Sequence, residues 1–135
     1  MFASPISSYQ QISLESEVRG ADPVHLITLL FDGAQAALEK AQTQLAENDF
    51  RGKSESLTKA MLIIVEGLSA SLNVEQGGEL AERLQALYSY MVSRLIHANT
   101  QKDAAAITEV QRLLGEIAGA WREIKPVSAG EQRSE

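Results

Sequence analysis

Residues 77–124 read GGELAERLQALYSYMVSRLIHANTQKDAAAITEVQRLLGEIAGAWREI. The stretch holds two long helical patterns separated by one polar joint. In the first, Leu80, Leu84, Leu87, Met91, Leu95 and Ala98 recur at three- and four-residue spacing. Tyr88, Val92 and Ile96 form a second stripe beside it. Together the stripes cover about half the helix circumference, wider than the roughly 100° arc of an ordinary surface helix. In the second pattern Ile107, Val110, Leu114, Ile117, Trp121 and Ile124 follow an a/d alternation without a miss. This is more apolar surface than one helix–helix seam requires, and the excess points to a second helix or a binding partner.

Working outward, Gly77-Gly78 closes a loop over 73–78 that starts the third helix at about Glu79. Asn99 is read as its C-terminal stop. Asp103 caps the fourth helix ahead of Ala104, Ala105 and Ala106, and Pro126 ends it. Upstream, Asp22-Pro23 is a helix-start signal, a capping side chain followed by a residue with preset φ. The first long helix is predicted over 23–47. Leu26, Ile27, Leu30, Phe31, Ala34, Ala37, Leu38, Ala41 and Leu45 share one arc, and Leu29 lies off it. Gly33 stands beside the arc, where a glycine costs about 1 kcal/mol against alanine unless a neighbouring helix approaches closely. Asn48-Asp49 breaks this pattern.

A second helix is predicted over 50–72. Leu57, Met61, Ile64, Leu68 and Leu72 form its stripe, while Leu62, Ile63 and Val65 add apolar surface elsewhere. Such a helix is buried on several sides or has its outer face covered by a partner. Four amphipathic helices with short connections, no strand pattern and no internal repeat predict an all-α, antiparallel up-down-up-down four-helix bundle. The expected organisation is an N-terminal arm at 1–21, a bundle at 22–125 and a disordered tail at 126–135. Ser4-Pro5 starts a short helix in the arm, with Ile6 and Tyr9 on one face.

Composition narrows the function. The chain has 135 residues, enough for one domain with a real core, and no cysteine. Thiolate metal sites, disulfides and a cysteine nucleophile are thereby excluded. Net charge is -6, and the twelve basic residues are scattered, which argues against nucleic acid as a partner. No run approaches the roughly 20 apolar residues of a membrane span, and no signal peptide is visible, so a cytoplasmic protein is expected.

Catalytic and cofactor motifs fail on inspection. Gly52-Lys53-Ser54 imitates the end of a phosphate-binding loop, but Glu47 stands where the first glycine belongs and no strand precedes it. A di-iron bundle needs two Glu-x-x-His pairs; Asp22 precedes His25 and Arg94 precedes His97 at that spacing. A phosphotransfer bundle would carry an exposed histidine, for which His97 is the candidate, yet Ala98-Asn99-Thr100-Gln101 replaces the expected lysine-glycine. No carboxylate pair is set up for acid–base work. The sequence predicts a protein without catalytic residues, cofactor or metal.

The residue order resembles the flagellar secretion chaperone family FliS. The likeness runs from Tyr9 and Val18 through Pro23, Leu26-Ile27, Leu30-Phe31-Asp32-Gly33-Ala34, Lys59-Ala60, Ile63-Ile64 and Gly77-Gly78-Glu79. It is densest at Leu87-Tyr88, Tyr90-Met91, Arg94-Leu95, Ala98-Asn99 and Asp103. It closes with Glu109-Val110, Leu113-Leu114, Ala120-Trp121 and Ile124. Phe31 stands where the family often has tyrosine, and the small run 104–106 is a departure. The resemblance implies a cytoplasmic export chaperone that binds the disordered C-terminal segment of flagellin. It implies that this segment wraps the bundle as extended chain and short helices, and that the arm can cover part of the surface when flagellin is absent. The flagellar export gate and an anti-sigma factor enter as partners from the same family setting, not from these residues, and both monomer and homodimer stay open.

Groove recognition of a disordered partner needs a large apolar area to offset ordering entropy. The expected partner contacts are Leu29, Leu62, Tyr88, Val92 and Ile96, with Ile6 and Tyr9 as the competing arm. Tyr88 and Val92 could equally face a second neighbouring helix, since every bundle helix has two. Asn99 is read as a helix cap or as a hydrogen-bond partner of bound backbone. A phosphotransfer domain built on His97 and a self-associating structural bundle are the competing functional readings.

Overall fold

A computed structural model describes the backbone of residues 23–72 and 74–134, with side chains over 24–72 and 77–123. The expectations for the N-terminal arm, Ile6 and Tyr9 included, lie outside these residues. Helix α1 spans Pro23–Ala46, α2 spans Phe50–Leu62 and runs directly into a π-helical segment Ile63–Ser69, α3 spans Val74–Gln101 and α4 spans Ala104–Ser134. Each helix packs on two others, in the cyclic order α1, α2 with its π segment, α3, α4 and back to α1. This is the antiparallel four-helix bundle that the four amphipathic patterns require.

The core is a continuous stack of the apolar stripes. Leu30, Phe31, Ala34, Leu38 and Ala41 come from α1, Leu57 and Ala60 from α2, and Ile64 and Leu68 from the π segment. Tyr88, Met91, Leu95 and Ala98 come from α3, and Ala106, Ile107, Val110, Leu114 and Ala118 from α4. Burying a large aliphatic side chain contributes about 1.5–3 kcal/mol, so these stripes supply the driving force of the fold. Trp121 packs on the same core, and its Nε1 donates to the Val24 carbonyl at 3.4 Å, tying α4 to the start of α1.

The helix ends follow their local chemistry. Asp49 caps α2, its carboxylate accepting from Gly52 N at 3.0 Å, and Asn48 takes φ 63 in the joint before it. Gly52, Lys53 and Ser54 form the first turn of α2, not a phosphate cradle. Asp103 accepts from Ala105 N at 3.0 Å at the head of α4, as its sequence position predicts. Gly78 has φ 60 and ψ -136 inside α3, a conformation suited to glycine, so the regular helix begins after it and near the predicted start.

Four details differ from the sequence expectations. The α3 helix does not stop at Asn99: it continues to Gln101, and Lys102 takes the left-handed position at φ 53. Leu80 is 66% exposed, and the stripe first packs on the core at Leu84. Tyr88 belongs to the core cluster and not only to the outer stripe. Finally, the α4 backbone is helical past Pro126; proline removes one helical hydrogen bond, yet its own φ near −65° is compatible with a helix.

The π segment has a readable cause. Buried positions fall at Lys53, Leu57 and Ala60, steps that match 3.6 residues per turn. They then fall at Ile64 and Leu68, with Leu72 packed on the core, in three steps of four. At about 100° per residue, an α-helix would carry Leu72 roughly 120° off the core line over those twelve residues. One wider turn absorbs the drift, and Ala70 N accordingly reaches back five residues to the Val65 carbonyl at 3.1 Å.

Candidate functional site

The outer seam between the π segment and α3 holds an open cleft of about 220 Å³ lined by Val65, Ser69, Gln85, Tyr88, Ser89 and Val92. The α3 side arises from spacing: positions 85, 89, 92 and 96 follow one another at four, three and four residues and so share a helix face. The opposite wall comes from Val65 and Ser69 on the widened turn. Leu62 and Ile96 are 50% and 53% exposed on the same two helices, and Val65 is 48% exposed. Among the described residues, no helix covers these large apolar side chains on the outer side of the seam.

The predicted contacts divide on this geometry. Val92 packs on the core and lines the cleft, and Leu62 and Ile96 are exposed as expected. Tyr88 is only 4% exposed, so it forms the floor, and burial pushes its phenol up to about 12. Leu29 is half-buried on α1 and is not among the cleft-lining residues. Asn99 caps no helix: its Oδ1 accepts from Ser54 Oγ at 2.8 Å, which locks α2 to α3 beyond the apolar seam. The polar lining residues Ser69, Gln85 and Ser89 escape a search for apolar stripes; their only signal is their spacing relative to Val92.

Two polar clusters hold this seam in place. Lys53 is 2% exposed, and its Nζ donates to the Asn99 carbonyl at 2.9 Å. On the far side of α3, Tyr90 Oη donates to Glu109 Oε2 at 2.5 Å and Arg94 Nε donates to Glu109 Oε1 at 2.8 Å. The Tyr90 hydrogen bond and then Arg94 hold the Glu109 carboxyl below its usual range. These bonds fix the rotation of α3 against α4 and so the face that α3 turns toward the cleft. His97 Nε2 lies 3.1 Å from Asp103 Oδ2, so the histidine singled out for phosphotransfer is engaged by the residue that caps α4.

Nothing in the cleft resembles an activated nucleophile or a proton-transfer pair. What it offers is shape, apolar surface and a few hydroxyl and amide groups, the ingredients of peptide recognition. Among the described residues no helix is long and apolar enough to cross a membrane.

Comparison with known proteins gives a consistent answer. The family model described as "Flagellar protein FliS" matches residues 5–128. The flagellar secretion chaperone FliS of Salmonella typhimurium is 50% identical over 124 residues, covering 92% of this chain and 92% of that protein. The Escherichia coli chaperone of the same name is 46% identical over 121 residues, covering 90% and 89%. The Bacillus subtilis chaperone is 32% identical over 120 residues, covering 89% and 85%. With the bundle, the matched core and a family model that spans nearly all of it, the chain belongs to the FliS family of flagellar proteins.

Proposed function

We propose that this protein is a cytoplasmic export chaperone that holds the disordered C-terminal segment of flagellin against the seam of α2, the π segment and α3. The observation that carries the reading is the open cleft flanked by exposed Leu62, Val65 and Ile96. Val65 and Val92 receive an apolar side chain of the client over the Tyr88 floor. Ser69, Gln85 and Ser89 hydrogen-bond its polar groups. Leu62 and Ile96 extend the contact along the seam. Held this way, the segment is kept from assembling with other flagellin until export. The names of the matched relatives support the export role, and the cleft supports the manner of binding.

Leu29, Ile6 and Tyr9 are proposed as secondary contacts, the last two as the arm that competes for the seam. The export gate and an anti-sigma factor are proposed further partners of the same chaperone. Calorimetric titration with the C-terminal flagellin peptide of the same organism tests the reading. Saturable binding with a negative heat-capacity change is expected, the mark of buried apolar surface. Absence of binding to the full-length protein and to a version lacking residues 1–17 would refute it.

A further inference from the structure

Two exposed carboxylates stand beside the cleft-lining positions without lining the cleft themselves. Glu66 lies next to Val65 in the π segment, and Glu82 lies one helical turn before Gln85 on α3. Both are exposed, and no described residue forms an ion pair with either. Arg83, beside Glu82 in sequence, is engaged by Glu79 at 2.7 Å. Arg51, far along α2, is paired with Glu55 at 3.7 Å, and Lys59, exposed two turns before Glu66, has Lys40 as its charged neighbour and forms no ion pair with Glu66. Two unneutralised carboxylates thus stand on the two helices that form the cleft, in a chain of net charge -6. Glu66 also belongs to the widened turn, where the helix carries about one residue more than its buried spacing needs in α form.

This pattern selects among occupants. A second copy would bring charge of the same sign. The N-terminal segment 1–22 carries Glu15, Glu17 and Asp22 against the single Arg19, and its first fourteen residues have no charged side chain. Neither supplies the positive charge to pair with both carboxylates, so the arm competes for the seam through apolar contacts alone. We propose that Glu66 and Glu82 are specificity residues of the cleft, selecting an amphipathic client helix whose apolar anchor is flanked by lysine or arginine. The proposal rests on the binding reading above and names the chemistry of the bound segment. Rim charges of this kind act chiefly on encounter and partner choice, and they weaken with salt.

Two designed helical peptides with the same leucine face test it, one flanked by lysine and one by glutamate. Each is titrated into the full-length protein and into the Glu66→Lys/Glu82→Lys variant at low and high salt. The wild type should prefer the lysine peptide by about fivefold at low salt, the size of two exposed ion pairs. The preference should shrink in high salt and vanish or reverse in the variant, with an unchanged melting temperature. Equal affinity for both peptides, binding of neither, or a preference that survives in the folded variant would overturn the proposal. A variant that fails to fold would also overturn it, because both side chains would then serve the bundle. If the lysine peptide is preferred while the flagellin segment does not bind, the flagellin reading fails and the charge selectivity stands.

Discussion

Lys53 Nζ donates to the carbonyl oxygen of Asn99 across the α2–α3 seam, at 2.9 Å, from a side chain that is almost wholly buried. Asn99 lies in the last turn of α3, where carbonyls lack an intrahelical partner. The ammonium satisfies one of them and adds a favourable charge at the negative end of the helix. Lys53→Met keeps most of the stem packing and removes that donor. The expected result is a loss of about 1–2 kcal/mol in urea unfolding, set by a charged hydrogen bond offset by the relieved burial. An unchanged or higher midpoint would show that burying the charge outweighs the cap.

Tyr88 supplies a pH signature of the core. Burial raises its phenol from 10.0 to about 12, so the folded chain holds this proton more tightly than the unfolded one. The resulting stability is complete below pH 10 and disappears as pH rises toward 12, about 2–3 kcal/mol in all. Lys53 acts in the opposite sense: burial, with Lys102 beside it, lowers its ammonium, so its contribution grows as pH rises toward 10.5. Comparing the wild type with Tyr88→Phe isolates the phenol. The variant should lose stability less steeply between pH 10 and 12. Parallel profiles would place the hydroxyl in contact with water.

Two glycines at the α1 crossing should respond in opposite directions. A Cβ at Gly67 would lie 2.8 Å from Leu30 Cδ2, closer than packed atoms approach. At Gly33 the nearest atom is Ile63 Cδ1 at 3.4 Å, close to ordinary contact. Alanine in a helix gains up to about 1 kcal/mol over glycine, while overpacking costs about 1–3 kcal/mol. Gly33→Ala should therefore raise the melting temperature slightly, and Gly67→Ala should lower it. The same sign for both substitutions would contradict this packing of the π segment on α1.

The bundle was legible because period-3.6 stripes, capping residues and short joints all point to one architecture. Asp103 caps where the sequence puts it, Asn48-Asp49 breaks the chain between α1 and α2 as expected, and Ile107, Val110 and Leu114 are buried as their a/d spacing requires. The cleft was legible only in part. Leu62 and Ile96 stand out as apolar residues off the main stripe, but Ser69, Gln85 and Ser89 look like any solvated positions. Tyr88 could not be assigned between floor and rim, because its angle on the wheel lies at the border of the core. A helix of constant pitch does not accommodate the four-residue steps from Ala60 to Leu72, and those steps are the sequence signal of the π segment. Asn99 looked like a stop because asparagine favours helix ends, whereas its partner, Ser54, is distant in sequence.

If the exposed apolar seam binds the client and does not hold the fold together, its exposed side chains can be changed without unfolding the bundle. Leu62 and Ile96 test it most directly, being large, apolar and about half exposed. The decisive measurement is calorimetric titration of the Leu62→Glu/Ile96→Glu variant with the C-terminal flagellin peptide, beside its thermal melt. An unchanged melt is expected, with binding weakened by at least about tenfold, the loss of roughly 1.4 kcal/mol of apolar contact. Wild-type affinity in the folded variant would contradict it.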